Sequence, residues 1–214
     1  MAKPRYPDDH DPVIDVRPAV GRFDDFRTVL GLRSEEANGC WCMSYRDSSK
    51  SVPQRVQHMK AECASDPGPG VLVYVDDEVA GWCSIAPRDS YARLGRTRKL
   101  VVPDDDLDAW VAVCFVVRTG FRGHGLMKHL LRGAVAHAKQ HGADVVEGYP
   151  ILTGGERVDV ISGYVGTSDL FEGEGFEIAV KTTAVSGGRP RVLMRRYLAP
   201  GAKRRAAKAA ASAE

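Results

Sequence analysis

Residues 110–127 read WVAVCFVVRTGFRGHGLM, and the change of pattern inside this stretch decides the fold. Residues 110–117 are apolar without interruption, which is typical of a strand buried on both faces of a sheet. A glycine-rich turn occupies residues 118–125. Apolar residues then recur at every fourth position from Leu126 to Ala138, as on the buried face of an amphipathic helix. The sequence therefore predicts a buried strand, a turn and a helix in direct succession.

A second strand follows this helix. The helix is predicted to end near Gly142, because glycine readily adopts the left-handed conformation that closes a helix. Residues 144–149, DVVEGY, follow as another strand. Two neighbouring strands that are joined through a helix run parallel. Residues 110–149 are thus predicted to form a strand, helix and parallel strand, with the glycine-rich turn at the start of the helix.

The turn has the composition of a phosphate-binding site. Gly123 and Gly125 flank His124 at the start of the helix, where backbone N–H groups lack intrahelical partners and the helix dipole is positive. Glycines at this point let the backbone approach phosphate oxygens closely, and Arg122 adds a cation. Glycines also start helices for steric reasons alone, so the pair by itself leaves both explanations open.

The spacing of these glycines excludes two common nucleotide-binding motifs. A P-loop needs the pattern G-x-x-x-x-G-K-[ST], and no Lys-Ser or Lys-Thr pair stands at the required distance. The dinucleotide fingerprint G-x-G-x-x-G needs a third glycine at the position that Lys128 occupies. The turn therefore belongs to neither of these nucleotide-binding folds.

Strand and helix patterns also cover the rest of the chain. Further strands are predicted at residues 13–17, 71–75, 79–86, 176–184 and 191–197. Amphipathic spacing predicts two early helices, at residues 23–30 and 52–63. Residues 87–109 form a long polar connection that carries both basic and acidic residues. It is either a solvated insertion whose charges compensate one another or a loop that borders the active site.

Two segments give the chain a resemblance to the GNAT superfamily of N-acetyltransferases. The run FVVRTGFRGHGLMKHLL at residues 115–131 is similar to the family's central strand, R-G-x-G-x-G/A loop and long helix. The run LFEGEGF at residues 170–176 is similar to the family's L-Y-x-x-x-G-F segment. With the early hairpin, the resemblance covers most of residues 13–198. It implies an α/β fold of layered α+β type, in which a central mixed, mostly antiparallel sheet of about seven strands has helices on both faces and a splayed central strand.

The resemblance also implies a cofactor and a reaction. In the family, the central strand pairs with the pantetheine arm of acetyl-CoA, a co-substrate, and the loop amides hold its diphosphate. The residues carried over by position are Phe115, Val116 and Val117 on the strand, and Arg122, Gly123, His124, Gly125, Leu126 and Met127 on the loop. The implied activity is acetyl-CoA-dependent N-acetyl transfer to a primary amine of a small molecule or peptide by direct attack. The alternative is a non-catalytic acyl-CoA-binding regulatory module.

The catalytic residues are less well defined, because the family's usual proton donor is missing. The tyrosine often credited with protonating the departing thiolate falls at Phe171. We predict Tyr164 or Tyr149 as the acid, since both lie near the expected cleft, although either hydroxyl can equally be satisfied in the core. Glu147, at the end of the strand beside the cofactor strand, is the predicted general base, with a solvent-facing strand terminus as the alternative.

Composition narrows the choice of partners. The chain has 30 Lys and Arg against 28 Asp and Glu, and a net charge of +2 argues against a general attraction to nucleic acid or membrane. No run of about 18 apolar residues occurs and the N-terminus is polar, so a cytoplasmic protein is expected. The five cysteines are odd in number and lack zinc-ligand spacing, which predicts reduced thiols and no metal site.

The chain is expected to form one domain between two tails. Residues 1–11 are predicted to be a mobile arm, residues 12–198 the GNAT-like domain, and residues 199–214 a basic, Ala-rich tail that is disordered or helical. Such a tail can bind an acidic partner or nucleic acid, although a solvated tail is the commoner case. The resemblance also allows a homodimer through the C-terminal hairpin. Residues 39–43, GCWCM, are predicted to belong to the core or to line the acceptor pocket.

Overall fold

The computed structural model of the protein describes residues 5–154 and 162–212. In this part of the chain, seven strands form one sheet. They are β1 (Ile14–Pro18), β2 (Gly70–Val75), β3 (Glu78–Pro87), β4 (Ala109–Val117), β5 (Val145–Gly148), β6 (Glu177–Ser186) and β7 (Arg189–Tyr197). Their order is β1-β2-β3-β4-β5-β7-β6, and only β4 and β5 run parallel. The predicted mixed, mostly antiparallel sheet of about seven strands is confirmed.

Six α-helices accompany the sheet in the described segments. They are α1 (Phe23–Val29), α2 (Val52–Ala64), α3 (Ala92–Arg96), α4 (Leu126–Gln140), α5 (Ser168–Glu172) and α6 (Ala202–Ser212). The start of α2 is fixed by a capping box, in which the backbone N–H of Ser51 donates to the side chain of Gln54 at 2.9 Å. No helix within the described ranges is long and apolar enough to cross a membrane.

Helices cover both faces of the sheet because side chains alternate along each strand. Val71 and Val73 of β2 belong to a core that includes the buried side of α4. Leu72 and Tyr74 of the same strand belong to a second core with α1 and α2. Helix α4 also packs closely on β1, because a Cβ atom on Gly133 of α4 would come within 2.3 Å of a methyl group of Val16. The implied two-sided arrangement of helices is confirmed.

The long connection between β3 and β4 is folded into the domain. Tyr91, Leu94 and Leu100 are buried in an apolar cluster that includes residues of β4 and β7. Of the two alternatives for this segment, a fully solvated insertion is contradicted. The apolar residues interspersed among its charges provide enough buried surface to hold the segment against the sheet.

Both ends of the chain make contacts with the domain. The backbone N–H of Tyr6 donates to the carbonyl of Gly120 at 2.8 Å, and its ring is packed against the core. At the other end, Ala202 and Ala206 of α6 are buried against the sheet beside β5. The predicted boundaries at residues 12 and 198 therefore leave out segments that pack on the domain, and the C-terminal tail is helical. Residues 1–4 and 213–214 of the two predicted tails lie outside the described residues.

Candidate active site

The second half of β4 has one free edge. β4 pairs with β5 only from Ala109 to Ala112, whereas its pairing with β3 continues to Val117. β5 ends at Gly148, and two residues later Pro150 has no backbone N–H to extend a ladder. On the β5 side, backbone groups beyond Ala112 therefore have no partner strand among the described residues. This is the splayed central strand that the resemblance implied.

Phe171 fills the space at the end of β5. Its side chain is fully buried and packs edge to face on Phe115 and Phe176. A Cβ atom on Gly148 would lie 2.2 Å from the Phe171 ring, so only glycine fits beneath the ring at that point of β5. Phe171, at the position of the family's tyrosine, is thus an apolar residue that packs against both β4 and β5 and has no proton to donate.

A cavity of about 510 Å³ opens beside the free edge of β4. Its walls come from the end of β4, the glycine-rich turn, the start of α4 and the short segment before α5. The lining residues are Phe115, Val116, Val117, Phe121, Arg122, Gly123, Gly125, Leu126, Met127, Gly163, Tyr164, Thr167 and Leu170. All the residues predicted to contact the cofactor line this cavity except His124. Four lining residues were not predicted, namely Phe121, Gly163, Thr167 and Leu170, although Leu170 begins the LFEGEGF segment.

The turn at the edge of this cavity leaves open space beside its backbone. Gly123 and Gly125 have φ values of +86° and +73°, which strain any residue with a Cβ atom. Gly125 is the N-cap residue of α4, and it has no side chain that could bond to the first amides of the helix. No acidic residue occupies the first turn of the helix. A Cβ atom at either glycine would meet nothing within 4 Å, so the space beside the backbone is open. The free amides of α4 therefore face room for a diphosphate.

Two polar side chains of the turn already have partners in the protein. The Nε of Arg122 donates to the carbonyl of Val117 at 2.9 Å, which ties the turn to the end of β4. The ring of His124 is stacked on Tyr6, with centroids 3.8 Å apart and an interplanar angle of 4°. His124 is absent from the cavity lining, and its ring packs on Tyr6 of the N-terminal segment.

Tyr164 is the predicted acid that lies on the cavity. It lines the wall with 38% of its surface exposed, and partial burial raises the pKa of its hydroxyl, with a smaller contribution from the neighbouring phenol of Tyr45. A 3₁₀ turn at Ser162–Val165 and α5 are separate elements. Gly166, at φ +81°, separates them, and this break lets Tyr164 face the cavity while Phe171 faces the core.

The predicted base, Glu147, is buried in an ion cluster. Its side chain is completely inaccessible, Arg195 donates to its Oε1 through Nε at 2.9 Å, and the Nε of Arg88 lies 3.4 Å from its Oε2. Arg195 also pairs with buried Asp105 at 2.6 Å. Burial raises the pKa of Glu147, while the two arginines act in the opposite direction. Glu147 is paired with Val111 inside the β4–β5 ladder, and its side chain is enclosed by the two arginines, so this position does not fit the role of general base.

Tyr149, the other predicted acid, is also remote from the cavity lining. It is 1% exposed, and its hydroxyl donates to the carbonyl of Val101 at 2.9 Å. Burial raises the pKa of this hydroxyl, so the phenol stays protonated and engaged in its hydrogen bond. The alternative of a packed tyrosine with a satisfied hydroxyl is therefore the one that the structure gives.

Behind Tyr164 lies a pair of buried residues that the sequence did not indicate. Tyr45 is 5% exposed, and its hydroxyl accepts a hydrogen bond of 2.9 Å from Nη1 of Arg191. The Nε of Arg191 donates to the carbonyl of Tyr149 at 2.7 Å. The partners Tyr45 and Arg191 are 146 residues apart, so no local spacing could have revealed them. Residues 41–43 of the GCWCM segment are buried in the core beside α1 and α2.

Comparison with known proteins identifies the family. The model of the acetyltransferase (GNAT) family matches residues 34–149, which is more than half of the chain. The protein therefore belongs to the acetyltransferase (GNAT) family, and the predicted acetyltransferase activity and acetyl-CoA donor are confirmed at that level. No curated protein matches the sequence.

Solved structures share the fold at low sequence identity. A mosquito arylalkylamine N-acetyltransferase-like protein has a TM-score of 0.53 at 14% identity, over 87% of this chain and 100% of its own. A Drosophila melanogaster polyamine N-acetyltransferase, which forms N-acetylagmatine, has a TM-score of 0.53 at 12% identity, over 87% and 100%. The NatC complex bound to Gag peptide and CoA contains a chain with a TM-score of 0.51 at 12% identity, over 87% and 99%.

Nothing in the described residues forms a metal centre. Within residues 5–154 and 162–212, no group of three or more His, Cys, Asp or Glu side chains is arranged to hold an ion. The features that this site offers are therefore a free strand edge, a helix N-terminus and a phenol.

Proposed function

We propose that this protein transfers an acetyl group from acetyl-CoA to a primary amine of a small molecule or peptide by direct attack. The observation that supports this proposal most strongly is the meeting of the free β4 edge with the open N-terminus of α4 in one cavity. A strand edge binds an extended amide-containing arm, and a helix N-terminus binds a diphosphate. Acetyl-CoA has both groups in that order, and its thioester supplies the acetyl group.

The residues of the cavity divide this binding between them. The backbone of Phe115, Val116 and Val117 is proposed to pair with the pantetheine amides as an added strand. The amides of Gly123 to Met127 hold the diphosphate. The apolar side chains of the strand and of Leu126 exclude water from the thioester, which strengthens the polar interactions made there.

Tyr164 is proposed to supply the proton that the departing sulfur needs. Its hydroxyl is on the cavity wall, and its raised pKa keeps the phenol protonated at neutral pH. Arg191 donates a hydrogen bond to the Tyr45 hydroxyl, and both side chains neighbour the Tyr164 hydroxyl. No Asp, Glu or His side chain is among the described residues that line the cavity. Water is proposed to take up the amine proton.

The acceptor class is supported by the range of amines that proteins of this fold use. The mosquito and fruit-fly proteins are named for arylalkylamine and polyamine acetylation, and the NatC structure contains a peptide. A non-catalytic acyl-CoA-binding module is the second candidate, and it is favoured by one observation, the apolar Phe171 at the position of the family's tyrosine.

Calorimetry and thiol release test the proposal together. One-site, micromolar binding of acetyl-CoA is expected, followed by CoA release when a primary amine is added. Gly123→Trp is expected to abolish binding, because the new side chain enters the open space beside the helix N-terminus. Gly142→Trp is the matched control, since this exposed glycine has a similar φ of +83° at the opposite end of α4. Binding without turnover of any amine would instead support the regulatory module.

A further inference from the structure

A second cavity lies next to Tyr45, and three of its six lining residues are arginines. Its volume is about 410 Å³. The lining residues are Arg46, Asp47, Ser48, Ser49, Arg93 and Arg96. Tyr45 lines neither cavity but contacts one lining residue of each. Its carbonyl accepts from the backbone N–H of Arg93 at 3.1 Å, and its phenol neighbours Tyr164. The guanidinium of Arg93 lies 6.0 Å from the Tyr45 ring.

Arg46 forms the inner wall of this basic cavity and has unused hydrogen-bond donors. Its side chain is only 2% exposed, and the guanidinium lies over the Tyr91 ring at 4.6 Å. Nη2 donates to the carbonyl of Pro69 at 3.0 Å and lies 3.9 Å from a Glu62 oxygen. Nε and Nη1 are buried and have no acceptor in the described part of the chain. Buried guanidinium donors in native proteins are almost always paired, so these two nitrogens indicate a ligand with acceptor oxygens.

The rim of the cavity adds two further cations. Arg93 and Arg96 are exposed on α3, and Arg93 donates to the carbonyl of Ser44 at 3.2 Å. Three like charges around one cavity repel each other unless an anion lies between them. The basic character of the cavity thus calls for a negatively charged occupant.

The acidic residue of the cavity does not cancel these charges. Asp47 accepts hydrogen bonds from the backbone and hydroxyl of Ser49 through Oδ1, and its Oδ2 lies 3.4 Å from the amine of Lys50. Its charge is therefore balanced by Lys50 within the same loop. Arg46 lies near Glu62, but Arg93 and Arg96 form no ion pair within the described residues, so positive charge remains in excess on the cavity wall.

We propose that this basic cavity binds an anionic group, a carboxylate or a phosphate, on the acceptor amine. The inference rests on the proposed function, and it narrows the acceptor to amines that carry an acidic group at some distance from the nitrogen. Arginine forks bind the paired oxygens of carboxylates and phosphates bidentately, which gives both affinity and orientation. Because Tyr45 contacts Arg93 of the basic cavity and Tyr164 of the acetyl-CoA cavity, the acidic amine is proposed to lie with its anionic group at the arginines and its nitrogen toward Tyr164.

The anion site is tested first without turnover. The full chain, with ¹⁵N-labelled arginine, is titrated with inorganic phosphate and separately with acetate, and the Nε signals of the arginines are followed by NMR. Saturable shifts are expected for Arg46, Arg93 and Arg96. The Arg122 signal reports phosphate that binds at the cofactor loop. Added CoA is expected to suppress the phosphate-induced shift of Arg122 and to leave the shifts of the three cavity arginines unchanged. An absence of saturable shifts at the three cavity arginines with both anions overturns the proposal.

The acceptor assignment is tested with pairs of amines that differ by one anionic group. Lysine is compared with 1,5-diaminopentane, and phosphoethanolamine with ethanolamine, so that the two pairs distinguish carboxylate from phosphate. The acidic member of at least one pair is expected to have a kcat/KM about tenfold higher, the effect of one charged hydrogen bond. Arg93→Gln/Arg96→Gln is expected to remove this preference through KM, and both replaced residues are exposed, which protects the fold.

The matched control is Arg98→Gln, which removes an exposed arginine of the same segment that does not line the cavity. It is expected to leave the preference unchanged. Equal kcat/KM values within both pairs, or a preference that survives in the double variant, overturn the acceptor assignment. Failure of every amine while acetyl-CoA still binds contradicts the proposed function instead, and the arginine signals then decide the anion site on their own.

Discussion

Replacing Glu147 by Gln tests whether the buried carboxylate is structural or catalytic. The side chain is fully inaccessible and lies between the guanidinium groups of Arg195 and Arg88, at 2.9 Å and 3.4 Å from its two oxygens. Gln keeps the shape and one accepting oxygen, but it removes the negative charge. The replacement therefore leaves two buried cations with one carboxylate, that of Asp105, between them.

The structure sets the size of the expected effect. Removing one partner of a buried ion pair costs about 3–5 kcal/mol. Arg195 keeps Asp105 at 2.6 Å, so the free energy of unfolding is expected to fall by about 3 kcal/mol, the lower end of that range. For a domain of this size each kcal/mol lowers the Tm by about 2–4 °C, which gives a total of about 6–12 °C.

Thermal unfolding and steady-state kinetics measured on the same samples check this prediction. Well below the transition, kcat is expected to remain close to that of the unaltered protein. Glu177→Gln is the control, because it makes the same change at an exposed pair with Lys203 and is expected to cost less than about 1 kcal/mol. A loss of kcat of about 100-fold with an unchanged Tm would refute the structural role and restore Glu147 as the base.

Three further predictions concern the cavity itself. Tyr164→Phe is expected to lower kcat about 100-fold without changing the Kd for acetyl-CoA. Tyr149→Phe is expected to lower the free energy of unfolding by about 1 kcal/mol and to leave kcat intact. Equal kcat values in the two variants would contradict the assignment of Tyr164 as the acid. Because the pKa of Tyr164 is raised above its ordinary value of 10.0, its phenol stays protonated as pH rises, and kcat is expected to show no falling limb below about pH 10. Gly123→Ala, at φ +86°, is expected to weaken acetyl-CoA binding at least about tenfold, and Gly142→Ala, at φ +83°, to leave it unchanged, as measured by calorimetry.

Local patterns predicted the scaffold of the site well. The apolar run before the turn became β4, and the stripe of apolar residues after it became α4. The glycine-rich turn was recognised from the spacing of Gly123 and Gly125, and both residues adopt the left-handed conformation that the turn requires. These features follow from backbone periodicity and from the conformational freedom of glycine, which act over a few residues.

The catalytic predictions were weaker because they concerned long-range contacts. Glu147 follows an apolar strand just as a cleft residue does, but Arg195, 48 residues later, captures its carboxylate in the core. The sequence offers no reason to choose between Tyr149 and Tyr164 as the acid. A hydrogen bond to Val101 holds the first in the core, and the break at Gly166 turns the second toward the cavity.

The sequence by itself thus determined the order of elements, the parallel pair of strands and the position of the glycine-rich turn, because periodicity and glycine geometry are local properties. Only the tertiary structure decided which polar groups meet. The pairing of Arg191 with Tyr45 and the gathering of Arg46 with Arg93 depend on segments that approach each other after the sheet has formed. The desolvation of each charge, which separates a structural ion pair from a binding site, is set by that packing alone.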